Sequence, residues 1–257
     1  MSRTAVFTAV VLRCRASGEA NSEVTLLTAE EGIIKATVFG GAKSKLRAHS
    51  APYNSGKVWL YRDKAKDYAR SFSSVKLCDF DVQSWRAGLR ELYDRTMAAC
   101  AAADTILSTH GGGGDWEAAL KLTTETLDAL ENAGEELCGR LLIHFLWRWS
   151  RLLGIQPHLE CCAGCGQKGD IPLFYNSQEG ALFCSNCGYT ENTSQIPNSS
   201  FIKLNPGCRK WLCAVEPLDC GQINRYTTDN KSFNEAKSLV TAVLSEAIGK
   251  RLASWEW

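Results

Sequence analysis

The chain has 257 residues, of which 45% are hydrophobic and 22% are charged, as is ordinary for a globular protein. Its twelve cysteines do not indicate a disulfide-stapled secreted domain, because the chain is far longer than such domains usually are. No apolar stretch approaches the roughly 18 residues of a membrane span, so we expect a cytoplasmic protein. We interpret the N-terminal run "TAVFTAVVLRCRA" as a strand, since no small-x-small cleavage site follows it.

The net charge of +1 conceals an uneven distribution of charge along the chain. Residues 1–80 hold thirteen Lys or Arg and seven acids, an excess of +6. Residues 81–160 hold seven bases and twelve acids, a difference of −5, and the rest of the chain balances. A basic front followed by an acidic middle indicates that the front has a polyanion as its partner.

Residues 1–80 alternate between β-rich runs and turn signals. Five strands are predicted there, in the segments "TAVFTAVVLRCRA", "NSEVTLLTAEEG", "IIKATVFGG", "KVWLYR" and "DYARSFSSVKL". A basic loop, "AKSKLRAHSAPYNSG", lies between the third and the fourth. No segment of helical period separates the strands, so we predict a small closed or partly closed β-barrel rather than a parallel α/β unit.

From Ser84 the apolar period becomes helical, and residues 81–257 are predicted to form an all-α domain. The predicted helices are "SWRAGLRELYDRTMAACAAADTIL", "DWEAALKLTTETLDALENAG", "EELCGRLLIHFLWRWSRLLG", "NSSFIKLNPGCRKWLCAVEP" and "SFNEAKSLVTAVLSEAIGKRL". Asp115 is the predicted N-cap of the second of these, and Ser232 with Glu235 is the predicted capping box of the last. The fold class is therefore α+β and multidomain, with a β-barrel at the front.

Five cysteines lie close together inside the helical half of the chain. Cys162-x-x-Cys165 and Cys184-x-x-Cys187 are separated by eighteen residues, the pattern of a four-thiolate zinc site. Gly166 and Gly188 follow the two pairs and are expected to supply the positive φ of a tight turn. The spacer is typical of a β-hairpin, which would bring the pairs together, so residues 158–192 are predicted to be a zinc-binding insertion. Four thiolates leave no open position, so Zn²⁺ would be structural. The fifth cysteine, Cys161, would stay off the metal, because three residues rather than two separate it from Cys165.

Two catalytic interpretations of the cysteines fit the sequence less well than a structural zinc site does. His158 and Glu160 before Cys184 and Cys187 resemble part of the signature of zinc nucleobase deaminases. That interpretation leaves Cys162 and Cys165 without a role, and Phe183 stands where the signature has a proline. A redox-active C-x-x-C pair would need a βαβ setting, which is not predicted here. We therefore expect no enzyme activity and no catalytic residue.

Residues 35–76 combine ten bases with two acids, and aromatic residues lie between the charges. On a small barrel, cations neutralise phosphates while exposed rings stack on bases, which is what binding of single-stranded nucleic acid requires. The alternative is a structural interpretation, in which the rings belong to the barrel core and the charges form a solvated face. The predicted nucleic-acid contacts are Arg13, Arg15, Lys35, Lys43, Lys45, Arg47, Lys57, Arg62, Lys64, Lys66 and Arg70.

Three segments carry a resemblance to a known family. They are "VVLRCRASGEANSEVTLLTAEEGIIKATVFGGAKSKLR", "LLGIQPHLECCAGCG" and "AIGKRLASWEW". In this order, with zinc pairs inside a helical domain, the chain resembles the RecO family of bacterial recombination mediators over nearly its whole length.

The resemblance implies an N-terminal OB-fold, a helical domain and a zinc-ribbon-like insertion. It implies binding of single- and double-stranded DNA at the nucleoid, annealing of complementary strands, and loading of the RecA recombinase onto strands coated by single-strand-binding protein. The implied protein partners are RecR and the C-terminal tail of single-strand-binding protein, with RecA engaged indirectly. The alternative function, from a different class, is a zinc-ribbon scaffold whose barrel binds protein.

Overall fold

A computed structural model describes residues 4–40, 44–62, 75–188 and 201–256. The chain divides into two compact units, Met1–Asn132 and Ala133–Trp257. Among the described residues, no helix combines the length and the apolar content that a membrane span requires.

The first unit is built around a closed five-stranded barrel. Its strands and the short helix between the third and fourth are β1 (Thr4–Ser17), β2 (Asn21–Thr28), β3 (Gly32–Val38), α1 (Lys45–His49), β4 (Ser55–Arg62) and β5 (Val75–Ser84). The strand order is β1-β2-β3-β5-β4, and β4 pairs with β1 to close the barrel. All pairs are antiparallel except β3 with β5. This is the arrangement of an OB-type barrel.

β1 closes the barrel because it is long enough to pair on both sides. Its first half pairs with β4 and its second half with β2, with a change of register between Val11 and Arg13. Such irregularities bend a strand, which lets one strand serve two neighbours. Alternate residues point inward, and the barrel core consists of Phe7, Ala9, Val11, Val24, Leu26, Ile34, Ala36, Val38, Val58, Leu60, Leu77 and Phe80.

Two helices complete the first unit, α2 (Tyr93–Ser108) and α3 (Trp116–Glu131), after a 3-10 turn at Ala87–Arg90. Asp115 caps α3 as predicted, accepting a hydrogen bond of 3.1 Å from the backbone N–H of Ala118. The prediction of helix from Ser84 was wrong at its start. β5 continues through Ser84, and Arg86 takes a left-handed conformation that interrupts the chain before the helix.

The second unit combines helices with a small sheet. Its elements are α4 (Glu135–Leu152), β6 (Leu173–Asn176), β7 (Ala181–Phe183), α5 (Ser185–Gly188), β8 (Phe201–Leu204), α6 (Pro206–Val215) and α7 (Asn230–Ile248). Two 3-10 turns, Cys220–Arg225 and Ala253–Trp255, follow α6 and α7. The sheet order is β7-β6-β8, and α7 packs against α4, α6 and β8.

Three further predictions of local structure need correction. The basic loop after β3 contains the short helix α1. The segment predicted as one helix around residues 198–217 begins with β8, which pairs with β6, and only its second half is helical. The N-cap of α7 is Asp229 rather than Ser232, because Asp229 accepts from the Ser232 N–H at 2.9 Å. Glu235 instead accepts from the backbone N–H of Asn205 at 2.6 Å.

Candidate metal centre and nucleic-acid interface

The structure gathers the four predicted zinc cysteines into one group. The sulfur atoms of Cys162, Cys165, Cys184 and Cys187 all lie within 4.8 Å of one another. The Cys165 and Cys184 sulfurs are 3.8 Å apart. A tetrahedral zinc ion with Zn–S bonds of about 2.3 Å separates its ligand sulfurs by about 3.8 Å. The group therefore has the size that a four-thiolate metal site requires.

The two cysteine pairs stand on two different turns. In the first, Gly166 has a φ of 71°, and its N–H donates to the Cys162 carbonyl at 2.9 Å. In the second, Cys184 precedes α5, and the N–H of Gly188 donates back to its carbonyl at 2.9 Å. The expectation of positive φ is confirmed at Gly166 and wrong at Gly188, since a helical turn presents Cys187 without it.

The predicted hairpin holds these turns together. β6 and β7 pair from Phe174 opposite Phe183 to Asn176 opposite Ala181. The N–H of Ala163 donates to the Leu182 carbonyl at 2.8 Å, which ties the first turn to β7. The turns approach so closely that a Cβ on Gly164 would lie 3.0 Å from the Cys187 Cβ.

The protonation of the group shows why it suits a cation. Burial raises the pKa of the Cys162 thiol, but backbone N–H donors from Cys184, Cys165 and Gly164 outweigh that effect and lower the pKa to about 6. Hydrogen bonds with the Cys165 and Cys184 sulfurs raise the pKa of Cys187 to about 12. Four neighbouring sulfurs cannot all be thiolates unless a cation lies among them. The group could therefore hold a metal ion.

The other residues of this segment that the sequence offers as metal ligands or catalytic groups lie outside the four-sulfur group. Cys161 forms a bridge of β type with Lys168 and belongs to no metal-sized cluster of the described residues. His158 and Glu160 are exposed, and neither is a member of the four-sulfur group. The deaminase interpretation therefore lacks both its histidine ligand and an open metal position.

A buried arginine that the sequence does not single out holds the first turn. The guanidinium of Arg209, on α6, donates to the carbonyls of Leu159, Gly169 and Ile171 at 2.8, 2.9 and 2.7 Å. These carbonyls lie on either side of the Cys162–Cys165 turn in the chain. An arginine in an apolar helical segment gives no sign, before the fold is known, of which carbonyls it meets.

A second candidate site lies on the outside of the barrel, near the end at which residues 18–20 connect β1 to β2. We call it the loop-end surface, and it consists of Arg15, Lys35, Phe39, Tyr61 and Lys76. Strand register places Arg15 beside Glu23, Glu23 beside Thr37, Thr37 beside Lys76 and Lys76 beside Tyr61. Lys35 is exposed two positions before Thr37 on β3. Three cations thus share one outer face with a single acid in the row between them.

Lys76 links the charges of the loop-end surface to its rings. Its Nζ lies 5.3 Å from the centroid of Phe39 and 5.9 Å from that of Tyr61. Phe39 is 47% exposed although it is a large apolar side chain. Exposed rings beside cations offer stacking and charge neutralisation at the same place. Lys76 is absent from the predicted contacts, although alternation along β5 could have identified it.

The other predicted contacts are distributed over the first unit. Arg13 forms an ion pair of 2.7 Å with Asp104, and Arg62 pairs with Glu31. Lys57 faces Asp81 across β4 and β5. Lys45 and Arg47 are exposed on α1. Lys43, Lys64, Lys66 and Arg70 lie outside the described residues.

Both halves of the chain match models of known families. Recombination protein O N terminal matches residues 1–80, and Recombination protein O C terminal matches residues 90–256. Relatives named DNA repair protein RecO include one from Pelotomaculum thermopropionicum, 29% identical over 250 residues, covering 96% of this chain and 90% of the relative. One from Anaeromyxobacter dehalogenans is 29% identical over 258 residues, with coverage of 97% and 94%. One from Rubrobacter xylanophilus is 29% identical over 197 residues, with coverage of 75% and 73%.

Proposed function

Since the chain belongs to the RecO family, which mediates DNA repair and recombination without enzymatic chemistry, we propose that its barrel binds single- and double-stranded DNA through the loop-end surface. The observation that carries this proposal is the outer face on which Lys76 lies between Phe39 and Tyr61. In OB-type barrels the face of strands 2 and 3 is a frequent site for oligonucleotides. Lys35 lies on that face here.

The proposed contacts are mainly with phosphates and show little choice of sequence. Arg15, Lys35 and Lys76 would neutralise phosphates, and Phe39 and Tyr61 would stack on bases, because every base has a π-face. Strand annealing follows from such a surface without further chemistry. The cations screen the repulsion between two strands, and base pairing then supplies the free energy.

The proposed role extends to the partners that recombination needs. The chain would load RecA indirectly onto strands coated by single-strand-binding protein, and would engage RecR and the C-terminal tail of single-strand-binding protein. This role would place it in the cytoplasm, at the nucleoid. The support for these steps is the family membership of both halves of the chain.

The proposal assigns structural Zn²⁺ to the four-cysteine group. Its four sulfurs fit a closed tetrahedron, so the ion would take part in no reaction and would hold the β6–β7 hairpin to the first turn. Zinc with four thiolates carries a net charge of about −2. Such a site does not attract phosphate, which leaves DNA to the barrel.

A salt titration with a labelled single strand tests the proposed function. If the three cations each neutralise one phosphate, the logarithm of the binding constant should fall with that of the salt concentration with a slope of about −2. Mixing complementary strands with the purified protein measures annealing directly. A flat salt plot together with no annealing would contradict the proposal and favour the protein-binding scaffold.

A further inference from the structure

An exposed tryptophan lies at the end of β5 that is opposite the loop-end surface. Trp85 directly follows β5 and is 48% exposed. Its ring meets that of His49 edge to face, with 5.3 Å between the centroids. A large ring held half in solvent by a second ring keeps a face available for stacking.

Both of the segments that supply this ring pair also carry basic residues. We use the name barrel-floor surface for Lys45, His49, Trp85 and Arg90. Lys45 and His49 are four residues apart in α1 and therefore lie on one side of it. Residues 44–54 and 83–90 contain no acid. The barrel-floor surface thus offers positive charge beside an exposed ring, as the loop-end surface does.

The two segments are tied to each other by hydrogen bonds. Buried Arg86 donates to the Tyr53 carbonyl at 2.6 Å and to the Ser55 hydroxyl at 2.9 Å, and it pairs with Asp128 at 2.7 Å. Arg90 donates to the Pro52 carbonyl at 3.0 Å. A surface fixed before its ligand arrives loses less entropy on binding.

Two further contacts fix the orientation of the ring pair. The His49 Nδ1 lies 2.8 Å from the Phe80 carbonyl, which implies that this nitrogen carries a proton. Leu46, on the same short helix, packs against the barrel core. α1 therefore cannot turn without breaking the barrel's packing, and Trp85 is held against a fixed partner.

The loop-end and barrel-floor surfaces are well separated along β5. Lys76 lies near the beginning of β5 and Trp85 just after its end, so roughly 30 Å of extended strand separates them. One short single strand of a few nucleotides that covers one surface leaves the other unoccupied. Two strands, one at each end, can be held by the same chain.

We propose that the barrel-floor surface is a second contact for single-stranded nucleic acid, with Trp85 stacking on a base and Lys45 meeting the backbone phosphates. This inference rests on the proposed function and adds to it that one chain holds two strands during annealing. Both surfaces combine cations with exposed rings, which is the chemistry that recognises a single strand without reading its sequence.

The stoichiometry of binding tests this proposal. A thymidine oligonucleotide of about four nucleotides, too short to reach from one surface to the other, is titrated into the full chain at low salt. The wild-type chain should bind two oligonucleotides. The Trp85→Ala variant should bind one, because the affinity of the barrel-floor surface falls about ten-fold or more. Trp85→Phe keeps a ring and should restore the second site. Lys121→Glu, an exposed charge reversal on α3, is the control and should bind two.

Annealing provides the second measurement. Trp85→Ala should anneal complementary strands at least several-fold more slowly while its remaining site binds a single strand as before. A wild-type stoichiometry of one, or equal annealing by Trp85→Ala and wild type, would overturn the second contact and leave the surface to a protein partner. Failure of the wild type to bind any strand would instead contradict the proposed function itself.

Discussion

The guanidinium of Arg209 donates a hydrogen bond of 2.8 Å to the carbonyl oxygen of Leu159, 50 positions earlier in the chain. The same group reaches the carbonyls of Gly169 and Ile171. α6 therefore holds both ends of the loop that presents Cys162 and Cys165. The position of the first two sulfurs depends on a side chain that is not a ligand.

Replacement of Arg209 by methionine should loosen the metal site. The change leaves three carbonyls without their donor, at a cost of about 1–3 kcal/mol for each one that stays buried. We expect the free energy of unfolding to fall by about 1–3 kcal/mol for the buried Leu159 carbonyl, and zinc to pass faster to a chelator. Lys210→Met is the control, because Lys210 is exposed and pairs only with exposed Asp170, a contact worth about 0–1 kcal/mol. Equal zinc release by both variants would contradict this role.

Two serine variants test whether Cys162 or Cys161 is the fourth metal ligand. Cys162→Ser should lose bound zinc, since one of the four sulfurs in the group is removed. Cys161→Ser should keep one zinc per chain, because Cys161 lies outside that group. Mass spectrometry of the intact protein under native conditions measures the metal content of both variants. Zinc loss in Cys161→Ser alone would reverse the assignment.

The loop-end surface can be tested by one charge and one ring. Lys76→Glu should weaken single-strand binding about ten-fold or more at low salt and make the salt slope less negative by about 0.7 or more. Phe39→Ala should weaken binding by about 1–3 kcal/mol per lost stack with little change of slope. Fluorescence anisotropy of a labelled strand gives both quantities, and Lys121→Glu serves as the control. Unchanged slopes in Lys76→Glu would remove this surface from the DNA interface.

A buried histidine should make the second unit sensitive to acid. His144 is buried on α4, and burial together with the positive charge of Arg148 lowers its pKa to about 4. The unfolded chain takes up this proton near pH 6.5, so acid favours unfolding. The contribution of neutral His144 to the free energy of unfolding should be fully present above about pH 6.5. It should fall by on the order of 3 kcal/mol as the pH decreases to about 4.

The His144→Gln variant isolates that contribution. Unfolding by urea is followed at several pH values for wild type and variant, and the difference between their free energies of unfolding is plotted. The difference should decrease between about pH 6.5 and 4. A flat difference would show that the His144 proton does not affect folding.

The sequence predicts those features that depend on local spacing. The C-x-x-C pairs and the hairpin between them act over a few residues, and the structure brings all four sulfurs together. The β-strands of the barrel follow from alternation, and the N-cap Asp115 from its place before an apolar run. In each case the physical cause lies within a short stretch of chain.

Features that depend on distant partners are not visible in the sequence. Ser232 and Glu235 have the spacing of a capping box, but Glu235 is engaged by Asn205, which the fold brings to it. β8 is a strand because β6 offers it a partner. Arg13 is a basic residue of the front whose charge is met by Asp104, 91 positions away. Tertiary contacts determine these three features, and local propensity carries no information about such contacts.

The fourteen-residue β1 strand has a consequence for how partners attach to the two units. By pairing with β4 through its first half and with β2 through its second, it joins the two ends of the strand order into a closed barrel. The side chains on the outer face then offer ligands most of the surface of the described barrel. The described part of the second unit differs, since its sheet ends in β7 and β8. The first turn of the metal group bonds to β7 through Ala163, so the metal group and this sheet are joined through the backbone.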